Sequence, residues 1–263
     1  MVVPTFAVPQ SREVFYAINN QFQQNGPKGY TEFKMLENED MFVRIDLPGV
    51  PQNGVKVSLC ADNKGVAVLA EAPKEHKHDS SHRKYVTAVA CQCCQISGFT
   101  SHMCDGVLRL LLCKRNITPQ QRSSSIFFLA GPDFQEVLRS DGPHKFPHGS
   151  DPNDPALTGR VLEPQPHPCV LQGSQMAYES KQLQNGSLYV RVDMPGVPKD
   201  KFTVSVKSGR VMVTGEAPAV GHDSGGRFYS GDVAMLSTPI DIPSRRIKTI
   251  AKNGVLRLII PPV

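Results

Sequence analysis

The sequence predicts an all-β protein made of two antiparallel β-sandwiches in tandem. The first observation is a repeated phrase: Met41-Phe-Val-Arg-Ile-Asp-Leu-Pro-Gly-Val-Pro51 returns as Leu188-Tyr-Val-Arg-Val-Asp-Met-Pro-Gly-Val-Pro198. The second is a repeated ending, Asp105-Gly-Val-Leu-Arg-Leu-Leu-Leu112 and Asn253-Gly-Val-Leu-Arg-Leu-Ile-Ile260, at nearly the same distance from each opening. The third is the alternation of apolar and polar residues through both copies, without a helical period. A repeat of this length indicates two domains and not a solenoid.

The copies define four predicted segments of the chain. Residues 30–113 form the first domain and residues 174–263 the second. Residues 1–29 carry too little apolar surface for a core and are predicted to be a flexible N-terminal arm. Residues 114–173 are predicted to be a linker, because proline at their density prevents both helix and sheet. Two interpretations of the apolar patch Ile126–Leu129 within this linker are left open: that it docks onto a domain, or that it forms one helical turn.

Each copy follows the same order of strands and turns. The opening phrase alternates as a half-buried strand does, and Pro48-Gly49 ends it because proline cannot donate to a sheet. Two more alternating runs lead to Glu71-Ala72-Pro73 or Glu216-Ala217-Pro218, and a His-, Asp-, Ser- and Gly-rich loop follows. Each copy closes in a hairpin, with Asp105-Gly106 or Asn253-Gly254 at the turn. Seven or so short strands of this kind predict a β-sandwich.

Composition excludes several classes of function. The 29 basic and 24 acidic residues are spread along the chain, without the clustered basic face that nucleic acid requires. No apolar run approaches the ~18 residues of a membrane span, and prolines interrupt the N-terminus before a signal peptide could form. The seven cysteines are an odd number, and most of them lie in the first copy while the second has none, which favours a reducing compartment. A cytoplasmic location is predicted, with the nucleus left open.

The sequence indicates no enzyme: it has no phosphate-binding glycine loop, no nucleophile elbow and no zinc-protease motif. No catalytic residue, cofactor or metal site is predicted. Cys91, Cys94, His102 and Cys104 are zinc-ligand types, but they do not form two clean C-x2-C pairs and the second copy lacks them. Buried thiols are the favoured interpretation, and metal binding by this group is left open. The loop histidines are interpreted as solvated: His76, His78 and His82.

One pair of charges in each opening phrase is predicted to be structural. Arg44 and Asp46, like Arg191 and Asp193, lie on one face of a strand because they are two residues apart. We expect each pair to bond across to a neighbouring strand.

The phrases V-R-(I/V)-D-(L/M)-P-G-V, (G/A)-E-A-P and N-G-V-L-R-L-I-I-P resemble the α-crystallin domain of plant small heat-shock proteins. Residues 178–262 match this pattern closely, whereas the first copy diverges at Ala70 and Asp105, which replace glycine and asparagine. The resemblance implies an immunoglobulin-like sandwich that holds unfolding client proteins without ATP. It covers about two thirds of the chain and identifies a divergent member with two tandem domains.

Three departures from the family change the expected assembly. The loop after the G-E step is too short for the exchanged strand of the family's dimer. The family's arginine before the last hairpin is missing from both copies, and no room for an I-x-I tail follows Pro262. We therefore expect a monomer or a small homo- or hetero-oligomer, and no large cage.

The resemblance also implies a groove that accepts extended apolar peptides at the edge of each sandwich. We predict that the second copy carries most of the binding, since its residues are larger and more apolar. The predicted groove residues are Phe202, Val204, Val206, Ile247, Thr249 and Ala251 in the second copy, and Val55, Val57, Leu59, Phe99 and Met103 in the first.

The predicted function is that of an ATP-independent holdase for exposed apolar segments of client proteins. The alternative is a scaffold or adaptor in a protein complex, or a CS-type co-chaperone, using the same sandwich. The missing arginine, tail and exchange loop favour this alternative, and the fold alone does not decide between the two.

Overall fold

The computed structural model describes residues 20–91, 94–115, 124–130, 138–140, 160–161, 164–237 and 242–262. In these ranges the chain is all-β and its strands pair antiparallel, which confirms the predicted fold class. No helix that could cross a membrane occurs in them. The strands are β1 (Gln23–Asn25), β2 (Thr31–Met35), β3 (Met41–Asp46), β4 (Val55–Leu59), β5 (Gly65–Ala72), β6 (Arg83–Cys91), β7 (Gln95–Cys104), β8 (Val107–Arg115), β9 (Ser124–Ala130), β10 (Leu138–Ser140), β11 (Val170–Gln172), β12 (Tyr178–Gln182), β13 (Leu188–Asp193), β14 (Phe202–Lys207), β15 (Arg210–Ala217), β16 (Arg227–Met235), β17 (Lys248–Lys252) and β18 (Val255–Ile260).

Strands β2 to β8 form a sandwich that we call the first unit. One sheet has the order β2-β3-β8-β7, and the other contains β6, β5 and β4 in that order. Val43 and Leu110 from one sheet and Val66 and Val68 from the other are fully buried in a shared core. Along β5 the core residues alternate with more exposed ones, whereas all six residues of β3 are buried, because Arg44 and Asp46 on its other face lie against the second unit.

Strands β12 to β18 form the second unit, and their order repeats that of the first. One sheet is β12-β13-β18-β17, and the other contains β16, β15 and β14. Val190 and Leu258 meet Val211 and Val213 in its core. The repeated sequence therefore folds into two sandwiches of equal strand order.

The closing hairpins have the predicted turns. The φ angles are 47° at Asp105 and 70° at Gly106, and 51° at Asn253 and 66° at Gly254. Both central residues of a type I′ turn need positive φ, and Asp-Gly and Asn-Gly are the residue pairs that adopt it most readily.

Two short strands cross between the units. β1 precedes the first unit but pairs with β16 of the second, with Gln23 opposite Tyr229. β11 precedes the second unit but pairs with β6 of the first, with Val170 opposite Tyr85. The segment that precedes each unit thus adds a strand to a sheet of the other unit, in a reciprocal arrangement.

The ranges predicted as arm and linker therefore contain strands that sequence reasoning did not anticipate. Phe22 packs into the core of the second unit, and Cys169 into that of the first. The apolar patch Ile126–Leu129 lies in β9, which pairs with β6, while β10 pairs with β9. A few apolar residues are too few to build a core, but they suffice to join an existing one. The predicted domain boundaries stay a prediction.

Candidate binding grooves and the interface between the units

The strip between β14 and β17, which we call the second groove, contains the predicted residues of the second unit. Phe202, Val204 and Val206 are half-buried and pack against the core. β14 pairs with β15 on one side, and no other strand of the described ranges pairs with it. A sheet edge with an apolar row beside it is a surface to which an extended peptide can add.

The opposite wall of the second groove is β17, the edge strand of the other sheet. Ile247 is buried, Ala251 is half-buried against the core, and Thr249 is exposed. The single turn Ser244–Arg246, which leads into β17, lies against β14. The structure thus brings the six predicted residues to two neighbouring strand edges. Their role in binding stays a prediction.

The equivalent strip of the first unit, which we call the first groove, lies between β4 and β7. Val55, Val57 and Phe99 are half-buried and pack against the core, while Leu59 is exposed. Met103 is fully buried, so it belongs to the core more than to the surface of the strip. β4 and β7 are in direct contact, whereas at the second groove β14 contacts the turn before β17.

The short loops that follow the E-A-P steps lie between the units. In the first unit this loop spans residues 74–82, and in the second residues 219–226; we call them the first and second HDS loops, after His78-Asp79-Ser80 and His222-Asp223-Ser224. Sequence reasoning found these loops too short for the family's strand exchange. The structure gives them a different role, because each one contacts the other unit.

Asp223 of the second HDS loop is held by arginines of the first unit. Its Oδ1 accepts from Arg109 Nε at 2.9 Å and its Oδ2 from Arg109 Nη2 at 2.7 Å, a two-point contact. Arg44 Nη1 lies 3.4 Å from Oδ2. Burial raises the pKa of the Asp223 carboxyl, but the hydrogen bond from Arg109 and the charge of Arg44 outweigh it and lower that pKa.

Asp79 of the first HDS loop is held in the same way by the second unit. Arg257 Nε lies 2.9 Å from Oδ1 and 3.2 Å from Oδ2, and the Tyr189 hydroxyl donates to Oδ1. The His76 ring stacks on Tyr189 at 5.4 Å with an angle of 11°. Burial acts to raise the pKa of Asp79, but the hydrogen bonds from Arg257 and Tyr189 prevail and lower it to about 2.

A second pair of ion pairs crosses the interface beside these loops. Arg83 of the first unit bonds Asp193 of the second, and Arg227 of the second bonds Asp46 of the first. All four side chains are buried. Removing one partner of a buried ion pair costs several kcal/mol, because the other charge is left desolvated.

The turns of the two units also meet across the interface. The Gly49 N–H donates to the Asn253 carbonyl at 2.9 Å, and the Gly196 N–H donates to the Asp105 carbonyl at 2.8 Å. The repeated P-G and (D/N)-G phrases therefore join the units as well as ending strands.

The structure corrects the predicted partners of the opening-phrase charges. Asp46 and Asp193 bond Arg227 and Arg83 of the opposite unit, and do not pair only within their own sheet. Their own-strand arginines are nearby as well, with Arg191 Nη2 3.1 Å from Asp193 Oδ1. The signal that sequence reasoning missed is H-D-S-x-x-R, which occurs in both loops and ends in Arg83 and Arg227.

Three members of the cysteine group, Cys94, His102 and Cys104, do not come together, and the side chain of Cys91 lies outside the described ones. Cys94 is buried in the first core, whereas His102 and Cys104 are exposed further along β7. Cys94 immediately precedes this ten-residue strand and Cys104 is its last residue, and a strand of that length is about 30 Å long at the usual rise. Among the described residues no three His, Cys, Asp or Glu side chains are placed to share a metal ion.

Comparison with known proteins gives this architecture a class, that of the small heat shock proteins. A family model described as "Predicted plant small heat shock protein" matches residues 2–263. The chain therefore belongs to this plant family. Its sequence is 40% identical to a 57 kDa heat shock protein of Arabidopsis thaliana, over 88% of this chain and 57% of that protein.

Shorter matches point to the same class. A mitochondrial 23.5 kDa heat shock protein of Arabidopsis thaliana is 28% identical over 30% of this chain and 39% of its own length. A chloroplastic small heat shock protein of Solanum lycopersicum is 40% identical over 27% of this chain and 32% of its own. The chain thus spans little more than half, or less, of these relatives. A solved structure of the CS-b5R domains of human Ncb5or matches with a TM-score of 0.26 and 10% identity, over 89% of this chain and 61% of that one, a likeness too low to inform the fold.

Proposed function

We propose that this protein is an ATP-independent holdase that binds exposed apolar segments of other proteins in its two grooves. The observation that carries the proposal is the row Phe202, Val204 and Val206, half-buried on a strand whose outer edge pairs with no described strand. An unfolding client exposes extended apolar segments, and such a segment can hydrogen-bond to the edge while its side chains enter the groove. In this proposal each unit acts as an α-crystallin-like domain.

The arrangement of the units supports this use of β4 and β14. On the other side of each sandwich, β6 and β16 already pair with β11 and β1. The HDS loops are likewise engaged with the opposite unit. Within the described ranges, β4 and β14 each pair with a strand on one side only. The location of the protein in the cytoplasm, with the nucleus left open, stays a prediction.

The engaged interface also favours a second candidate, a scaffold or adaptor in a protein complex. Two units that are joined by buried ion pairs form a fixed body, which suits a permanent component of an assembly. A scaffold would bind one folded partner and would not prevent the aggregation of unrelated clients.

Aggregation of a heated model client tests the holdase proposal. A heat-labile enzyme is warmed with substoichiometric chain in the absence of ATP, and light scattering is followed. We expect the chain to suppress scattering and the Val204→Asp variant to suppress it less, because a charge in an apolar row disfavours bound apolar segments. Ser205→Asp is the matched control, since Ser205 is exposed on the opposite face of β14.

Circular dichroism and melting establish first that both variants are folded. A folded Val204→Asp chain that protects the client as well as the parent would contradict the groove as the binding site. A parent chain that suppresses no scattering would contradict the holdase and favour the scaffold.

A further inference from the structure

The surroundings of the second groove are strongly basic. Five basic side chains and one acidic one lie on β14, its leading residues and the turn before β17, and all are exposed. In the described part of the chain none of the five basic residues forms an ion pair. They are Lys199, Lys201, Lys207, Arg245 and Arg246, and the acidic residue is Asp200.

The first groove lacks this charge. Lys56 is the one charged residue of β4, and the residues between β6 and β7 are Gln92, Cys93 and Cys94. The two grooves thus share their apolar rows and differ in their electrostatics. Because complementary charge contributes to the choice of partner, the two grooves are suited to segments of different charge.

The geometry of β14 determines where charges on a bound segment would lie. Phe202, Val204 and Val206 face the groove, so the alternate residues Thr203, Ser205 and Lys207 face outward and are exposed. A strand added to this edge places every second side chain beside that outward face. Opposite charges on neighbouring strands attract, and like charges repel.

We propose that the second groove selects extended segments in which apolar residues alternate with aspartate or glutamate. The apolar residues fill the groove, and the carboxylates lie in the field of the exposed basic residues on its two sides, Lys207 on β14 and Arg245 and Arg246 in the turn before β17. This inference rests on the proposed function, whose site it specifies. The first groove, with Lys56 alone on β4, accepts uncharged apolar segments without this preference.

The test uses two fluorescent synthetic peptides that share the same apolar residues at alternate positions. One has glutamate between them and the other lysine, and fluorescence anisotropy measures binding to the full chain. We expect the glutamate peptide to bind about tenfold tighter, since a few favourable cross-strand charge pairs give a factor of that size. At ~0.5 M salt, where screening acts over about 5 Å, the difference should largely disappear.

Two sets of variants locate the effect. The triple variant Lys207→Gln, Arg245→Gln, Arg246→Gln should lose most of the preference, and all three residues are exposed, so folding should be retained. The matched control Lys56→Gln, Lys64→Gln alters the first unit and should retain it. The variant Val204→Asp should weaken both peptides at the second groove.

The outcomes separate this inference from the function on which it rests. Equal binding of the two peptides, or an unchanged preference in the triple variant, overturns the charge selection and leaves the groove in place. Failure of both peptides to bind overturns the charge selection and the groove together. Tighter binding of the lysine peptide than of the glutamate peptide would contradict the proposed preference for acidic segments.

Discussion

Asn20 and His167 hold equivalent positions in the two crossing segments. Asn20 Nδ2 donates to the Asp193 carbonyl at 3.1 Å, and its Oδ1 accepts from the Phe22 N–H at 3.0 Å. His167 Nε2 donates to the Asp46 carbonyl at 2.7 Å, and its Nδ1 accepts from the Cys169 N–H at 3.2 Å. Each residue anchors a crossing strand on the opposite unit, and the second bond requires a neutral imidazole.

His167 makes one of these anchors sensitive to acid. Burial lowers its pKa from 6.5 to about 4, more than the hydrogen bond to the Asp46 carbonyl raises it. The neutral ring is therefore favoured in the folded state, and its contribution to stability is present above pH 6.5 and lost as the pH falls towards 4. The loss amounts to at most about 3 kcal/mol. His167→Asn should remove this part of the pH dependence.

Urea unfolding at pH 7.5 and pH 4.5 measures this effect. We expect His167→Asn to lose about 1 kcal/mol at pH 7.5, because ring contacts with Tyr30 and Tyr85 are lost, and to fall less than the parent at pH 4.5. His102→Asn, at an exposed position, is the control and should follow the parent. Identical pH dependence in parent and His167→Asn would show that the His167 anchor does not titrate as described.

Asp79→Asn should destabilise the chain by about 3 kcal/mol, because it leaves the buried Arg257 without its counter-charge. The free energy of unfolding in urea at pH 7 is the measurement. Asp232→Asn is the control, since the Arg210–Asp232 pair is exposed and should contribute less than about 1 kcal/mol. Equal losses in the two variants would mean that the HDS loop contributes little to joining the units.

Gly254→Ala should destabilise the interface and its hairpin together. An added Cβ would lie 2.3 Å from the Asp105 carbonyl oxygen of the other unit, at a φ of +66°. We expect a loss of about 2 kcal/mol or more in urea unfolding. Gly221→Ala is a control for backbone strain alone, since its φ is +60° with open space around the new Cβ. A loss no larger than that of the control would rule out the close approach of the turns.

A chain cut between Ser150 and Pro155 should remain a single particle. A protease site introduced there would leave β1 on one fragment paired with β16 on the other, and β11 paired with β6. Size-exclusion chromatography with light scattering should give the mass of the intact chain after cleavage. The same cut in an Asp79→Asn, Asp223→Asn chain should release the fragments on dilution. Separation of the fragments in the parent would mean that the covalent connection holds the units together.

The sequence predicted what depends on local pattern. Alternation identified most strands of both units, although not β2 or β12, and Asn253-Gly254 identified a type I′ turn that the backbone adopts. The grooves followed from a family resemblance, and the structure places their residues on neighbouring edges. β1 and β11 were beyond prediction, because three residues are too few to show a period of two.

The interface was beyond prediction for another reason. Arg83 and Asp193 are far apart in the chain, and no local pattern assigns a partner to a charge on an outward face. The pattern of the opening phrase predicted correctly that Asp46 and Asp193 lie on strands. It did not predict that their partners are Arg227 and Arg83 of the opposite unit. The repetition of H-D-S-x-x-R in both copies is the one sequence signal for these partners. It can be interpreted only when each loop is compared with the opposite unit.

Because the two units lie on one chain, their pairing through the crossing strands β1 and β11 occurs within a single molecule. Two separate subunits associate according to their concentration, whereas units on one chain meet at a fixed effective concentration. Dilution therefore leaves the pair intact, even when the protein is scarce. Because each half is encoded separately, a mutation alters one side of the pair at a time. The second groove is surrounded by basic residues and the first is not. Two identical subunits of a dimer could not differ from each other in this way.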